Sequence, residues 1–139
     1  MIDYTNKEQS EKLLSLGISS DKADMYLVGK IRDARGNTIE NPTYEIEIKP
    51  YRDLTKKSVP GFEVLDYIPS WSTLQLFRIL PSSIMTSKGE YKLRMGKDFI
   101  YYGSNTDFLC YYPIVGDDFL TPMLFMVEYL VSNKYHKFS

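Results

Sequence analysis

The sequence predicts an α+β fold: one domain over residues 1–139, an antiparallel sheet of about five strands and three helices, with the apolar C-terminal helix packed on the sheet. Three observations point there. The run Leu120 to Val131, LTPMLFMVEYLV, is apolar nearly all round, with Glu128 and Tyr129 as its polar relief. A helix of that kind is a core element, since spanning a bilayer takes roughly 20 apolar residues. Elsewhere, short runs alternate apolar and polar residues between turns, as neighbouring antiparallel strands do. Finally, 139 residues at 43% hydrophobic and 25% charged support one core and not two comfortable ones.

Thr5-Asn6-Lys7-Glu8 has capping-box form, with Thr5 as N-cap and Glu8 reaching back to it. Leu13, Leu14 and Leu16 then give a short amphipathic helix, which Gly17 can end in the left-handed conformation. Ser19-Ser20-Asp21 starts a polar turn, Lys22 to Asp24 offers a further helical turn, and a strand follows from Met25 to Arg32. Gly36-Asn37 marks a hairpin loop. In the next run Tyr44, Ile46 and Ile48 share one face and Glu45, Glu47 and Lys49 the other, and Pro50 closes it. Residues 49–61 are polar and turn-rich and read as a mobile loop, and Phe62 to Tyr67 as a further short strand.

Ser70 or Ser72 can cap a second helix that ends at Pro81, with Trp71, Leu74, Phe77 and Leu80 as its apolar face. Ser82 to Gly89 reads as a connector. Tyr91 to Met95 and Asp98 to Tyr102 form the clearest hairpin, with Gly96 at the first central position of a type II′ turn. A two-residue loop would pair Leu93 with Ile100 and Tyr91 with Tyr102. Phe108 to Tyr112 follows as a third strand. Thr121 is then a suitable N-cap for the last helix, with Pro122 at its first position, and residues 134–139 form a tail expected to fray.

With 17 basic and 18 acidic side chains the net charge is -1, so no global field draws the chain to nucleic acid or an acidic membrane. Aromatic content is high, with 12 Tyr, 7 Phe and 1 Trp. Tyrosine suits strands and half-wet recognition surfaces, because the ring packs while the hydroxyl stays solvated. A single cysteine, Cys110, excludes an internal disulfide and a cysteine-based zinc site. The polar, acidic N-terminal stretch reads as neither signal nor transit peptide, and the expected compartment is the cytoplasm.

No residue set has catalytic grammar, and no metal ligand set or cofactor is expected. Cys110 has no histidine near it in sequence, and His136 lies close to the end of the chain. Gly89 and Gly96-Lys97 miss phosphate-loop spacing, and Asp98 stands where a Ser or Thr would hold magnesium. Asp117-Asp118 adjoin the last helix and suit its dipole better than a metal. Asp24, just before a strand, reads as a cap or an acceptor for turn amides rather than as a ligand or an acid. Two binding readings remain. If Tyr91, Leu93, Ile100 and Tyr102 face the helices, the opposite face carries Lys92, Arg94, Phe99 and Tyr101, a platform for stacking bases and neutralising phosphates. The bland alternative puts Phe99 and Tyr101 under a loop, with the two cations keeping an edge soluble. Trp71 is either a partner anchor or a core plug whose indole N–H meets a carbonyl.

Three signatures together resemble small uncharacterised proteins of phages and mobile elements of Bacteroides-type gut bacteria. They are Glu8-Gln9-Ser10 with Leu13-Leu14-x-Leu16-Gly17 and the following Ala23-Asp24-Met25-Tyr26; Pro69-Ser70-Trp71-Ser72 with Leu80-Pro81; and the apolar last helix with Asn133-Lys134 beyond it. The resemblance implies an accessory protein of such an element and carries over no catalytic residue. The function expected first is a non-enzymatic protein-interaction module, pairing with a partner or with itself through a sheet edge or the Trp71 helix. Single-stranded nucleic-acid binding through the Lys92–Tyr101 face is the alternative. An enzyme with dispersed carboxylates and tyrosines is the third reading.

Overall fold

The computed structural model of the chain describes residues 4–48 and 64–138, so the expected loop over 49–61 lies outside the described residues. The elements run α1 (Lys7–Ser15), a 3-10 turn (Ser20–Lys22), β1 (Met25–Arg32), β2 (Tyr44–Ile48), β3 (Val64–Ser70), α2 (Thr73–Ile79), β4 (Ser83–Thr86), β5 (Gly89–Met95), β6 (Phe99–Gly103), β7 (Phe108–Pro113) and α3 (Leu120–Ser132). The class is α+β, with three α-helices among the described residues. The strands number seven among the described residues and divide into two antiparallel sheets, β2-β1-β3 and β4-β5-β6-β7, where about five in one sheet were expected. β4 is the element missing from the sequence reading. Its residues, Ser-Ile-Met-Thr, carry one apolar inward position, Ile84, and their pairing with β5 makes the strand.

Local capping chemistry sets the helix starts. Asn6, not Thr5, caps α1: its Oδ1 accepts the Gln9 N–H and Gln9 Oε1 accepts the Asn6 N–H, both at 2.9 Å. The capping box therefore sits one residue later than expected. Thr5 is buried instead, and its Oγ1 lies 2.7 Å from Ser10 Oγ and accepts the Trp71 N–H at 3.0 Å. That network ties α1 to the end of β3. Gly17, at φ +94°, ends the helix as expected.

Ser72 caps α2, its Oγ accepting the Gln75 N–H at 3.1 Å. Asp24 is itself a cap for that turn, accepting the Ser72 N–H at 2.9 Å and the Ser72 hydroxyl. Asp118 starts α3 by accepting the N–H groups of Leu120 and Thr121 at 3.1 Å and the Thr121 hydroxyl at 2.6 Å. Thr121 thus lies inside the helix rather than at its N-cap, and Pro122 is the third helical residue.

The main core lies between α3, α2 and the inner face of the four-stranded sheet. Met123, Met126, Val127 and Leu130 of α3 meet Ile84, Tyr91, Ile100 and Tyr102 across it. Tyr102 keeps its hydroxyl satisfied by donating to the Pro81 carbonyl at 2.6 Å. The tail expected to fray brings Phe138 into this core, at 2% exposure.

The β5–β6 hairpin is present with a longer turn than expected. Leu93 opposes Tyr102 and Met95 opposes Ile100, a register two residues from the expected one. Gly96 does not take the positive φ of a type II′ turn; its N–H donates to the Phe99 carbonyl at 2.8 Å. A slip of two preserves the facing of every side chain, whereas a slip of one would invert it. Tyr91, Ile100 and Tyr102 are buried as expected, and Lys92, Arg94, Phe99 and Tyr101 point to the outer face.

Candidate functional site: the outer face of the four-stranded sheet

Four of the five residues singled out in the sequence meet on this outer face. Arg94 stands directly across from Tyr101, and Lys92 across from Gly103. β7 adds two aromatic residues that the sequence reading did not include. Tyr111 opposes Tyr101, and Phe108 opposes Gly103. Phe99, Phe108 and Tyr111 expose 42%, 60% and 57% of their surfaces, side by side on one face.

The rings form one cluster. Tyr101 and Phe108 meet edge to face at 5.2 Å between centroids and Phe99 and Tyr111 at 5.5 Å, while Phe108 and Tyr111 lie tilted at 5.7 Å. Such pairs are favourable beyond the area they bury. Gly103 makes room for two of them, because a Cβ there would lie 3.0 Å from Tyr101 Cε2 and 3.4 Å from Phe108 Cδ1. A shallow hollow of about 350 Å³ lies among the four rings.

Beside the rings runs a polar strip. Lys88, Lys92 and Arg94 set three cations against one carboxylate, Glu90, which lies 3.8 Å from Lys92 Nζ. All four are exposed, so the Lys92–Glu90 pair contributes little stability. The turn that closes the strip is well tied. Asp107 accepts the Ser104 hydroxyl at 2.7 Å and the Tyr91 hydroxyl at 3.1 Å, and the Ser104 bond foremost holds its carboxyl below the usual range.

Strict alternation would place only one of Phe108 and Tyr111 on this face, and how their strand pairs with β6 is not local information. A bulge at Leu109 shifts the β6–β7 register between Tyr102 and Gly103, so residues three apart share a face. No local residue type marks that bulge.

Trp71, the fifth residue singled out, is not part of the site. It is fully buried, which removes it as a partner anchor, and its indole N–H finds no acceptor among the described residues. The α2 face is also revised. Leu76 and Leu80 turn inward with Trp71, while Leu74 and Phe77 line an open apolar groove of about 490 Å³ with Met95, Phe119 and Met123.

Nucleophilic chemistry finds no support at Cys110. Its sulfur lies 3.3 Å from Met126 Sδ, and burial pushes the thiol up to about 11, so it is protonated at neutral pH. His136 stacks edge to face on Phe138 at 4.6 Å, and burial lowers its pKa. Among the described residues no three His, Cys, Asp or Glu side chains gather in a way that could hold a metal, and no helix is long and apolar enough to cross a membrane. Comparison with protein-family models, with curated proteins and with solved structures finds no match.

Proposed function

We propose that this protein is a non-enzymatic interaction module that docks a partner protein on the outer face of its four-stranded sheet. It would serve a phage or mobile element as an accessory protein in the cytoplasm. The observation that carries the docking reading is the cluster of exposed Phe99, Phe108 and Tyr111 packed around half-buried Tyr101. Exposed aromatic patches of this kind mark recognition surfaces, where tyrosine and phenylalanine bury much area at small entropic cost. The cytoplasmic part rests on the free thiol of Cys110, and the mobile-element part on the Glu8–Tyr26, Pro69–Pro81 and α3 signatures.

Single-stranded nucleic-acid binding is the second reading, favoured by Arg94 lying opposite Tyr101 with Lys92 and Lys88 nearby. Ring geometry weighs against it. The rings pack edge to face on one another, so part of the aromatic surface that a base would stack on is taken. Glu90 adds a repulsive charge within the strip.

Affinity capture with the tagged protein from a host carrying the element, with and without nuclease, separates the two. A protein that co-purifies after nuclease treatment, and is lost with Phe108→Ala/Tyr111→Ala, is the expected result. Recovery of nucleic acid alone, weakened by salt, would overturn the docking reading.

A further inference from the structure

The two edges of the four-stranded sheet, β4 and β7, differ in what they offer. Along a strand, alternate residues direct their backbone N–H and C=O groups to opposite sides. Leu93 donates to the Ser82 carbonyl at 2.9 Å, and Ser83 opposes Lys92. Ser82, Ile84 and Thr86 therefore turn their backbone groups toward β5. The N–H and C=O of Ser83 and Met85 point the other way, to a side where no described strand lies.

β7 is closed by comparison. Ile114 donates to the Asp98 carbonyl at 2.8 Å, which sends the backbone groups of Tyr111 and Pro113 outward. Pro113 has no N–H to give. The Leu109 carbonyl is already engaged by the Tyr129 hydroxyl at 3.2 Å, and the bulge at Leu109 breaks the edge. Among the described residues no such device protects β4. Its outward side chain, Met85, is 69% exposed.

Building on the docking reading above, we propose that β4 accepts an extended segment of a partner protein as a fifth strand, hydrogen-bonded to Ser83 and Met85, with acidic side chains on the outer face. Strand addition supplies the affinity through main-chain bonds and leaves specificity to alternate side chains. Charge selects the acidic partner. Residues that pair with Ser83 and Met85 place their side chains on the same face as Lys88, Lys92 and Arg94, three cations that outnumber Glu90 and, beside Lys88, Asp107. Self-pairing of β4 is disfavoured by the same argument, because a second copy would bring its own cations to the seam.

The test uses a displayed library of random peptides selected on the full-length protein. Enriched peptides should alternate in pattern and carry Asp or Glu at every second position. The strongest of them is then measured against three variants whose circular dichroism and Tm match the wild type. Met85→Pro removes an outward N–H without breaking a β4–β5 bond, and should weaken binding about tenfold or more. Lys92→Glu/Arg94→Glu changes only exposed side chains, so it tests the idea even if the proline variant fails to fold; it should abolish binding of acidic peptides. Tyr111→Ala distinguishes face from edge. Peptide binding that survives both Met85→Pro and the charge reversal but is lost with Tyr111→Ala overturns strand addition and leaves docking on the aromatic face intact. Enrichment of basic or helical peptides also overturns it. Binding of an oligothymidine that falls with salt and ignores Met85→Pro assigns the face to nucleic acid instead. If no peptide is enriched and no protein is captured, the docking reading falls together with the edge.

Discussion

The Tyr44 ring lies across the backbone of Gly29, its register partner on the neighbouring strand. A Cβ added at Gly29 would sit 2.4 Å from the ring's Cε1 and 2.7 Å from Cζ. The ring is held there by its hydroxyl, which donates to Asp66 Oδ2 on β3 at 2.7 Å. One tyrosine thus bridges all three strands of the smaller sheet, and glycine is the residue that lets it pass.

Gly29→Ala is therefore expected to destabilise the protein by about 1–3 kcal/mol, because the ring must leave both the strand and Asp66. The same substitution in a Tyr44→Ala background should cost well under half as much, since the clash is gone. Denaturant midpoints of the two singles and the double measure this coupling. Equal costs in both backgrounds would show that the ring is not what Gly29 accommodates.

The Asp66 hydrogen bond, aided by burial and the nearby carboxylate charge, pushes the Tyr44 hydroxyl up to about 12. A folded pKa raised above the unfolded value near 10 stabilises the fold fully below pH 10, and that contribution is lost as pH rises through about 12. Tyr44→Phe should accordingly flatten the loss of stability over that alkaline window. Spectrophotometric titration should also lose one of the late-titrating tyrosines. An unchanged titration curve would contradict the Tyr44–Asp66 bond.

Asp118 behaves with the opposite sign. Hydrogen bonds from the Thr121 hydroxyl, then from backbone N–H groups, hold its carboxyl below the usual carboxylate range. Its contribution is present above the unfolded value of about 4 and is lost as pH falls through the lowered one. Asp118→Ala is expected to cost about 1 kcal/mol at neutral pH, as loss of a helix cap does, and almost nothing in acid. Thermal melts of wild type and variant at several pH values should converge on acidification.

Cys110 should resist alkylation in the native state. With its thiol raised to about 11 and set against Met126, the thiolate is scarce at neutral pH. Iodoacetamide followed by intact-mass measurement should show little adduct on the folded protein and full adduct in denaturant. Rapid labelling of the folded form would return this cysteine to the list of reactive groups.

Much of this could be read from local chemistry. Alternation with period two is a property of the strand itself, so Tyr91, Ile100 and Tyr102 could be assigned inward, and Lys92, Arg94, Phe99 and Tyr101 outward, even with the hairpin register wrong by two. The capping chemistry of Ser72, the left-handed Gly17 and the burial of the α3 apolar run are local in the same sense.

The tertiary structure decided what depends on residues far apart in the chain. It split the strands into two sheets, recruited Ser83–Thr86 as β4, and buried Trp71 behind the Thr5 network. It also chose Leu76 over Leu74 and Phe77 as the inward side of α2, because a two-turn helix can present either stripe until something packs on it. Above all it joined Phe108 and Tyr111 to Phe99 and Tyr101 through a bulge. A period of two says which side chains share a face within one strand. Which strand lies alongside, in what register, and which face stays uncovered are set by long-range pairing, and no local pattern contains that information.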